Sequence, residues 1–214
     1  GMFYEGIDLS EEASSLPLFG RETLAVTYGP QVIAWGGKAL AGSLEATSCL
    51  DADCAAQRWQ GSVGSFGARA LSGSTLWRQD RVSVLLSAEA QASDGYIKNI
   101  YLDKNTAFQD DRKAVLGFAY PLGPVHIRQH HLLALHHDGY DHWSFAAGYE
   151  TLSDHPGRDD HQVQGHSLQW ESALSQWNLH GLSSLTLTDQ LESYDEDWGN
   201  DPYWKQVPGW NLAY

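Results

Sequence analysis

His126, Arg128 and His130 stand two residues apart, a spacing that puts side chains on one face of an extended strand. Their successive Cβ atoms are then about 6 to 7 Å apart, given the rise per residue of a strand. Two imidazoles at that separation can reach one metal through bonds of about 2 Å, so zinc or iron chemistry is permitted. The spacing alone is weakly specific. If neighbouring strands bring His166 and His180 to the same face, the imidazoles and one guanidinium make a patch for a small ligand. The plainer alternative is a solvated sheet face, or a polar cavity whose groups satisfy one another. The pairs His130-His131 and His136-His137 must point to opposite faces of a regular strand, so neither is a two-ligand clamp.

A second constellation lies in SYDEDWGNDPYW. Asp195, Asp197 and Asp201, with Gly199 and Asn200 between them, offer hard oxygen ligands around a turn, as Ca²⁺ requires. No bidentate Glu follows at the right place, which favours a plain acidic surface loop. Tyr194, Trp198, Tyr203 and Trp204 share that loop. Beside acids such rings, Trp198 and Trp204 above all, could stack on a sugar face, or they could plug one end of a barrel.

Catalysis finds less support. His166 and Ser167 are adjacent and diverge on a strand, while His180 and Ser184 lie about 13 Å apart along one. Neither pair can make the hydrogen bond of a nucleophile and its base, and no Gly-x-Ser-x-Gly elbow occurs. Glu89, Glu150 and Glu171 are in-strand carboxylates, but nothing sets two of them in opposition for glycoside hydrolysis. A phosphate-cradling glycine loop is absent too. The reading leans away from an enzyme.

The elements that must position these residues are strands. Val82, Val84, Leu86, Ala88 and Ala90 alternate with Ser83, Ser87, Glu89 and Gln91; Leu116, Phe118, Tyr120 and Leu122 form another apolar set. Trp177, Leu179, Gly181, Ser183, Leu185 and Leu187 alternate with a polar set containing His180. Residues 123–152, which hold six of the ten histidines, read as a hairpin turning at Asp138-Gly139, with Trp143, Phe145, Ala147 and Tyr149 on one face. Asp94-Gly95 reads as another hairpin turn, and Gly123-Pro124 ends a strand. Towards the N-terminus, Leu24 to Tyr28 is a strand and Gln31 to Leu44 a second one weakened by Gly36 and Gly37. Asp8 caps a short helix over 8–16, and Asp51 caps a turn or two over 51–59. VPGWNLAY reads as a closing edge strand. The expected fold is all-β: an antiparallel β-barrel or two-sheet sandwich of about ten strands, with one or two short helices near the N-terminal third. It occupies residues 3–214 as a single domain, Gly1-Met2 being set aside as a scar or start site.

Composition narrows the partners. The 27 acidic and 13 basic residues leave a net charge of −14, and the basic ones are scattered. A phosphate backbone needs clustered Lys and Arg, so nucleic acid is excluded as a partner, as is an anionic membrane surface. No apolar run is long enough for a transmembrane helix, and no signal peptide is visible. The spacing of Cys49 and Cys54 could close a small disulfide loop, which would indicate an oxidising compartment, or both could be free thiols; alone they cannot make a structural zinc site.

The alternation also suits an outer-membrane β-barrel, with Trp210, Leu212 and Tyr214 as an aromatic terminus. Against it stand Gln162, Gln164 and His166 on one face, and Gln129 and His131 mid-strand on another, poor company for hydrocarbon. The balance favours a soluble envelope protein, periplasmic or extracellular, that binds a small molecule or glycan without catalysis. An outer-membrane pore or transport component is the first rival, and a His-dependent metalloenzyme or polysaccharide-active enzyme the second. Ca or Zn is the cofactor that either constellation would take.

Overall fold

The computed structural model describes residues 1–19, 22–35, 37–50, 54–143 and 148–207. The chain begins with β1 (Met2–Tyr4) and β2 (Ile7–Asp8), a hairpin turned by Glu5 and Gly6. Then come β3 (Thr23–Tyr28), α1 (Val32–Trp35) and β4 (Gly42–Thr47). These four strands make one sheet in the order β2-β1-β4-β3.

The remainder is dominated by a seven-stranded antiparallel meander. Its strands are β5 (Gln57–Val63), β6 (Arg69–Gln79), β7 (Val82–Ser93), β10 (Gln109–Leu122), β11 (Val125–Tyr140), β13 (Gly157–Leu174) and β14 (Trp177–Ser193). Short strands β8 (Lys98–Asn99), β9 (Lys104–Asn105) and β12 (Glu150–Thr151) form a separate three-stranded sheet, and α2 (Asp201–Trp204) follows. The described strands form no closed barrel; the architecture is sandwich-like, with the N-terminal sheet laid across one face of the meander.

The two ends of the meander differ. At one end β6–β7, β10–β11 and β13–β14 are joined by two-residue turns at 80–81, 123–124 and 175–176, with Asp80, Gly123 and Ser175 at positive φ. At the other end the links 94–108 and 141–156 are long and carry β8, β9 and β12.

The two faces differ more. On β7 the side turned to the N-terminal sheet bears Ser83, Leu85 and Ser87, all buried, while Val82 and Leu86 of the apolar set are exposed. On β10 the covered side carries the small Val115, Gly117 and Ala119, and Leu116, Phe118 and Tyr120 point away. Register aligns Leu185, His166, His131, Leu116 and Leu86 in one outward row across five strands. The next row holds Ser183, Leu168, Gln129, Phe118, Val84 and Trp77. Large apolar side chains therefore line the uncovered face. Beneath the N-terminal sheet Tyr4, Ile7, Leu9, Leu16 and Phe19 pack on Val115, Leu132, Ala134 and Val163.

Several local expectations fail for identifiable reasons. Asp138-Gly139 makes no hairpin: β11 runs through to Tyr140, and these residues pair with Asp159 and Arg158 on β13. Cross-strand bonding along sixteen residues outweighs one turn-forming dipeptide. Phe145 and Ala147, on the supposed return strand, lie outside the described residues. Asp94-Gly95 also fails to link paired strands, because β7 pairs with β10 while the chain leaves to build the small sheet. Asp8 accepts from the Ser10 backbone and hydroxyl, a local turn that replaces the helix; only a 3₁₀ turn forms, at Ala13–Ser15. The strand expected from Gln31 starts only at Gly42, after α1. The helix placed at 51–59 gives way to β5 at its end, and Asp51, like Trp210, Leu212 and Tyr214, lies outside the described residues. Cys49 and Cys54 form no disulfide with each other and pack in a small apolar cluster.

Candidate functional site

Beside that apolar contact the covered face of the meander also meets the N-terminal sheet through polar groups, and Glu5 is the centre of them. Glu5 and Gly6 both hold positive φ, at 48° and 80°, as a two-residue hairpin of the primed type demands. For Glu5 this is an uncommon conformation, so its side chain must be held by other bonds. Its Oε1 accepts from the Ser48 amide at 2.6 Å and the Ser48 hydroxyl at 2.7 Å. Its Oε2 accepts from Arg128 at 2.6 Å and from Gln169 at 3.2 Å. The Ser48 hydroxyl has spent its single proton on Glu5, so the contact with His130 Nε2 at 3.1 Å requires His130 to donate. Gly117 opens room for that imidazole: a Cβ there would lie 3.1 Å from His130 Cδ2.

Two further links tie the N-terminal segment to the sheet. His136 Nδ1 donates to Asp111 at 2.5 Å, and its Nε2 shares a hydrogen bond of 2.9 Å with the Ser15 hydroxyl. Gln91 donates to the other Asp111 oxygen. Glu12 takes a hydrogen bond from His161 Nδ1 at 3.0 Å. The imidazoles thus act chiefly as rivets between the N-terminal segment and the wall.

Tyr4 sits edge-on to His130 with its ring fully buried. Burial pushes its phenol well above the ordinary value, and the Glu22 and Glu5 carboxylates add to this. Above the unfolded pKa near 10 the unfolded chain sheds the phenol proton while the folded chain retains it, so rising pH favours unfolding. Stability should therefore be flat below about pH 10 and fall as pH rises towards the folded value. Tyr4→Phe should remove that alkaline loss. It should also cost little at pH 7, since Tyr4 Oη has no hydrogen-bond partner among the described residues. Denaturant titrations at pH 7 and above pH 10 on both proteins measure this.

At the long-loop end a different arrangement appears. Asp141 is buried and one of its oxygens accepts from Asn99 at 3.0 Å, Thr106 at 2.5 Å and Thr151 at 2.7 Å. This ties the small sheet to the end of β11. Beside it Tyr140, His142, Trp143, Tyr194, Asp195 and Trp198 line a cleft of about 110 Å³. Trp143 and Trp198 stack at 5.0 Å between ring centroids, leaving a flat aromatic wall beside a carboxylate. Such a surface can bind a planar or ring-bearing ligand.

The residues singled out from sequence separate accordingly. His126, Arg128 and His130 do share a face, and it is the covered one; His126 stands opposite Glu171, which stands opposite His180. His166 does not join them. It lies on the uncovered face, where its Nδ1 meets His131 Nδ1 at 2.8 Å. The expected patch of five is thereby split. Trp198 lies in the cleft, whereas Trp204 is buried behind Gly199. Asp195 accepts from Ser153, 42 residues away, while Asp197 accepts from the Gly199 amide and Asp201 pairs with Lys205, so each acid has its own partner. Among the described residues the three acids do not converge as metal ligands. Sequence reasoning missed Glu5, Glu12 and Asp111. Glu5-Gly6 between two short apolar runs was the available signal for the first.

No family model matches the chain, and no curated protein matches it. Its fold does resemble solved receptors. The ferric yersiniabactin uptake receptor FyuA from Yersinia pestis aligns at 13% identity and a TM-score of 0.66, over 81% of this chain and 30% of that one. The ferric-catecholate import receptor Fiu from E. coli K12 gives 15% and 0.64, over 88% and 32%. The siderophore receptor PiuA from Acinetobacter baumannii gives 12% and 0.63, over 89% and 29%. The chain spans about a third of the length of these receptors, and the likeness is one of fold.

Proposed function

We propose that this chain is a section of an outer-membrane β-barrel for uptake of a small ligand, with its N-terminal sheet seated against the inner wall. The observation that carries this is the inverted polarity of the meander. Its uncovered face is the apolar one, with Trp77, Leu86, Leu133, Leu168, Trp170, Trp177, Leu185 and Leu187 outward, and its covered face is rich in Ser, His, Gln and Arg. A soluble sandwich buries its apolar face; a lipid-embedded barrel exposes it. Two-residue turns at one end and long loops at the other fit the same reading. His131 and His166, two of the residues that argued against it, share a hydrogen bond, which reduces the cost of facing hydrocarbon. The likeness to receptors for ferric chelates supports small-molecule uptake, and the cleft of Trp143, Trp198 and Asp195 at the loop end is where the ligand first docks. His126, Arg128 and His130, by contrast, serve to seat the N-terminal segment.

Tryptophan fluorescence in lipid tests it. Brominated acyl chains should quench a large part of the emission. Replacing Trp77, Trp170 and Trp177 by Phe should remove most of that quenching. A chain that stays monodisperse without detergent and shows no quenching would refute the membrane reading. Quenching of Trp198 emission on adding a ferric chelate or a sugar then distinguishes the cleft's occupant.

A further inference from the structure

The covered faces of β13 and β14 carry a group that the contacts above leave half explained. His161 offers Nδ1 to Glu12, and because a carboxylate can only accept, that nitrogen bears a proton. Its Nε2 faces Asp159 Oδ1 in close contact and Glu192 Oε1 at 3.8 Å. With a proton on Nδ1 alone, the imidazole would aim its Nε2 lone pair at two carboxylates. A cation must lie on that side, either a second proton or a metal ion.

We propose that Asp159, His161 and Glu192 form a divalent metal site, with Zn²⁺ as the best-suited ion. One nitrogen and two carboxylates supply a mixed donor set with two negative charges, which a divalent ion neutralises. Imidazole among carboxylates favours Zn²⁺ over Ca²⁺, which takes oxygen ligands in greater number. The donor atoms lie within 4.8 Å of one another. A tetrahedral ion with bonds of about 2.1 Å needs donors about 3.4 Å apart, so the close His161–Asp159 contact must widen and Glu192 swing inward to admit it. The His161–Glu12 bond is the outer support that metal-bound imidazoles ordinarily have, fixing ring orientation and tautomer. Gln190 similarly holds Glu192 through a hydrogen bond to Oε1. Register places Asp159 opposite Glu192 and His161 opposite Gln190, so both strands present their ligands at one level. Since Glu12 belongs to the N-terminal segment, an ion here also tightens that segment's hold on the wall. The site stands whether or not the outer face meets lipid.

The test is titration of chelator-treated full chain with Zn²⁺, Ca²⁺ and Co²⁺. One Zn²⁺ should bind per chain, and Co²⁺ should give the intense visible bands of a low-coordinate site. Asp159→Asn and Glu192→Gln should each weaken Zn²⁺ at least tenfold, and Glu12→Gln about tenfold through its support of the ring. Glu192 lies on the exposed outer strand, so its variant keeps the fold. His131→Ala, remote on the other face, should leave binding unchanged. No stoichiometric Zn²⁺, tighter Ca²⁺ than Zn²⁺, or Zn²⁺ binding indifferent to Asp159→Asn and Glu192→Gln would each overturn the proposal.

Discussion

Leu185→Arg should destabilise the lipid-embedded protein by about 2–4 kcal/mol, the cost of a cation near the mid-height of a barrel's outer face. Leu185 points outward in the row that contains His131 and His166, with further outward rows above and below it. Rows two residues apart are about 6.7 Å apart along a strand, so two row spacings, about 13 Å, separate Leu185 from the polar row of Asp189 and Arg112. A soluble sandwich would answer differently. There Leu185 is an exposed surface residue, and the same substitution would fall within about 0.5 kcal/mol of neutral. Reversible unfolding from lipid vesicles in denaturant measures the difference. An Arg at Leu191, nearer the loop end, should cost less, because the penalty falls towards the interface.

Glu5→Ala should cost about 3–5 kcal/mol, the range for removing one partner from a buried ion pair. The Glu5 side chain is 1% exposed and that of Arg128 17%, so the pair is largely out of water. Without the carboxylate, Arg128 loses its 2.6 Å partner, and the Ser48 amide and hydroxyl lose their acceptor. Such losses exceed the mean worth of a hydrogen bond because the desolvation of each orphaned group remains. The effect should be local in origin: the N-terminal sheet loosens before the meander does. Hydrogen exchange at β1, β2 and β4 should therefore rise more than at β10 or β11. Glu5→Gln should cost less, since the amide oxygen still accepts. Equal exchange in both sheets would show that Glu5 does not anchor the N-terminal segment.

Much of the meander was legible in the residue order. The alternations in β7, β10 and β14, and the turn at Gly123-Pro124, identify strands correctly because extended backbone enforces a period of two. The same rule shows that His130 and His131 part company, and they do. Reading failed where a short-range signal competed with long-range pairing. Asp138-Gly139 has the chemistry of a turn, yet β13 runs past it and pairs with it, and the Asp110 amide donates to the Asp138 side chain, which together hold it extended. The N-terminal third was least legible, since β1, β2 and the 3₁₀ turn have little intrinsic preference of their own. They take shape against Val115, Leu132 and Val163, residues over a hundred positions away.

The candidate sites follow that division. That His126, Arg128 and His130 share a face was decided by their spacing; that Glu5 and Ser48 cover it was not. His166 shows why. Its parity on β13 is fixed only relative to its own strand, and the register of β11 with β13 sets it beside His131 instead of His130. The sequence by itself determined which residues travel together along each strand. Only the tertiary structure decided which set faces the N-terminal sheet. A period of two sorts side chains into two groups but carries no sign for inside or outside. That sign comes from what lies against each face, and here contacts such as Glu5 to Arg128, 123 residues apart, place the polar set under cover and leave the apolar set uncovered.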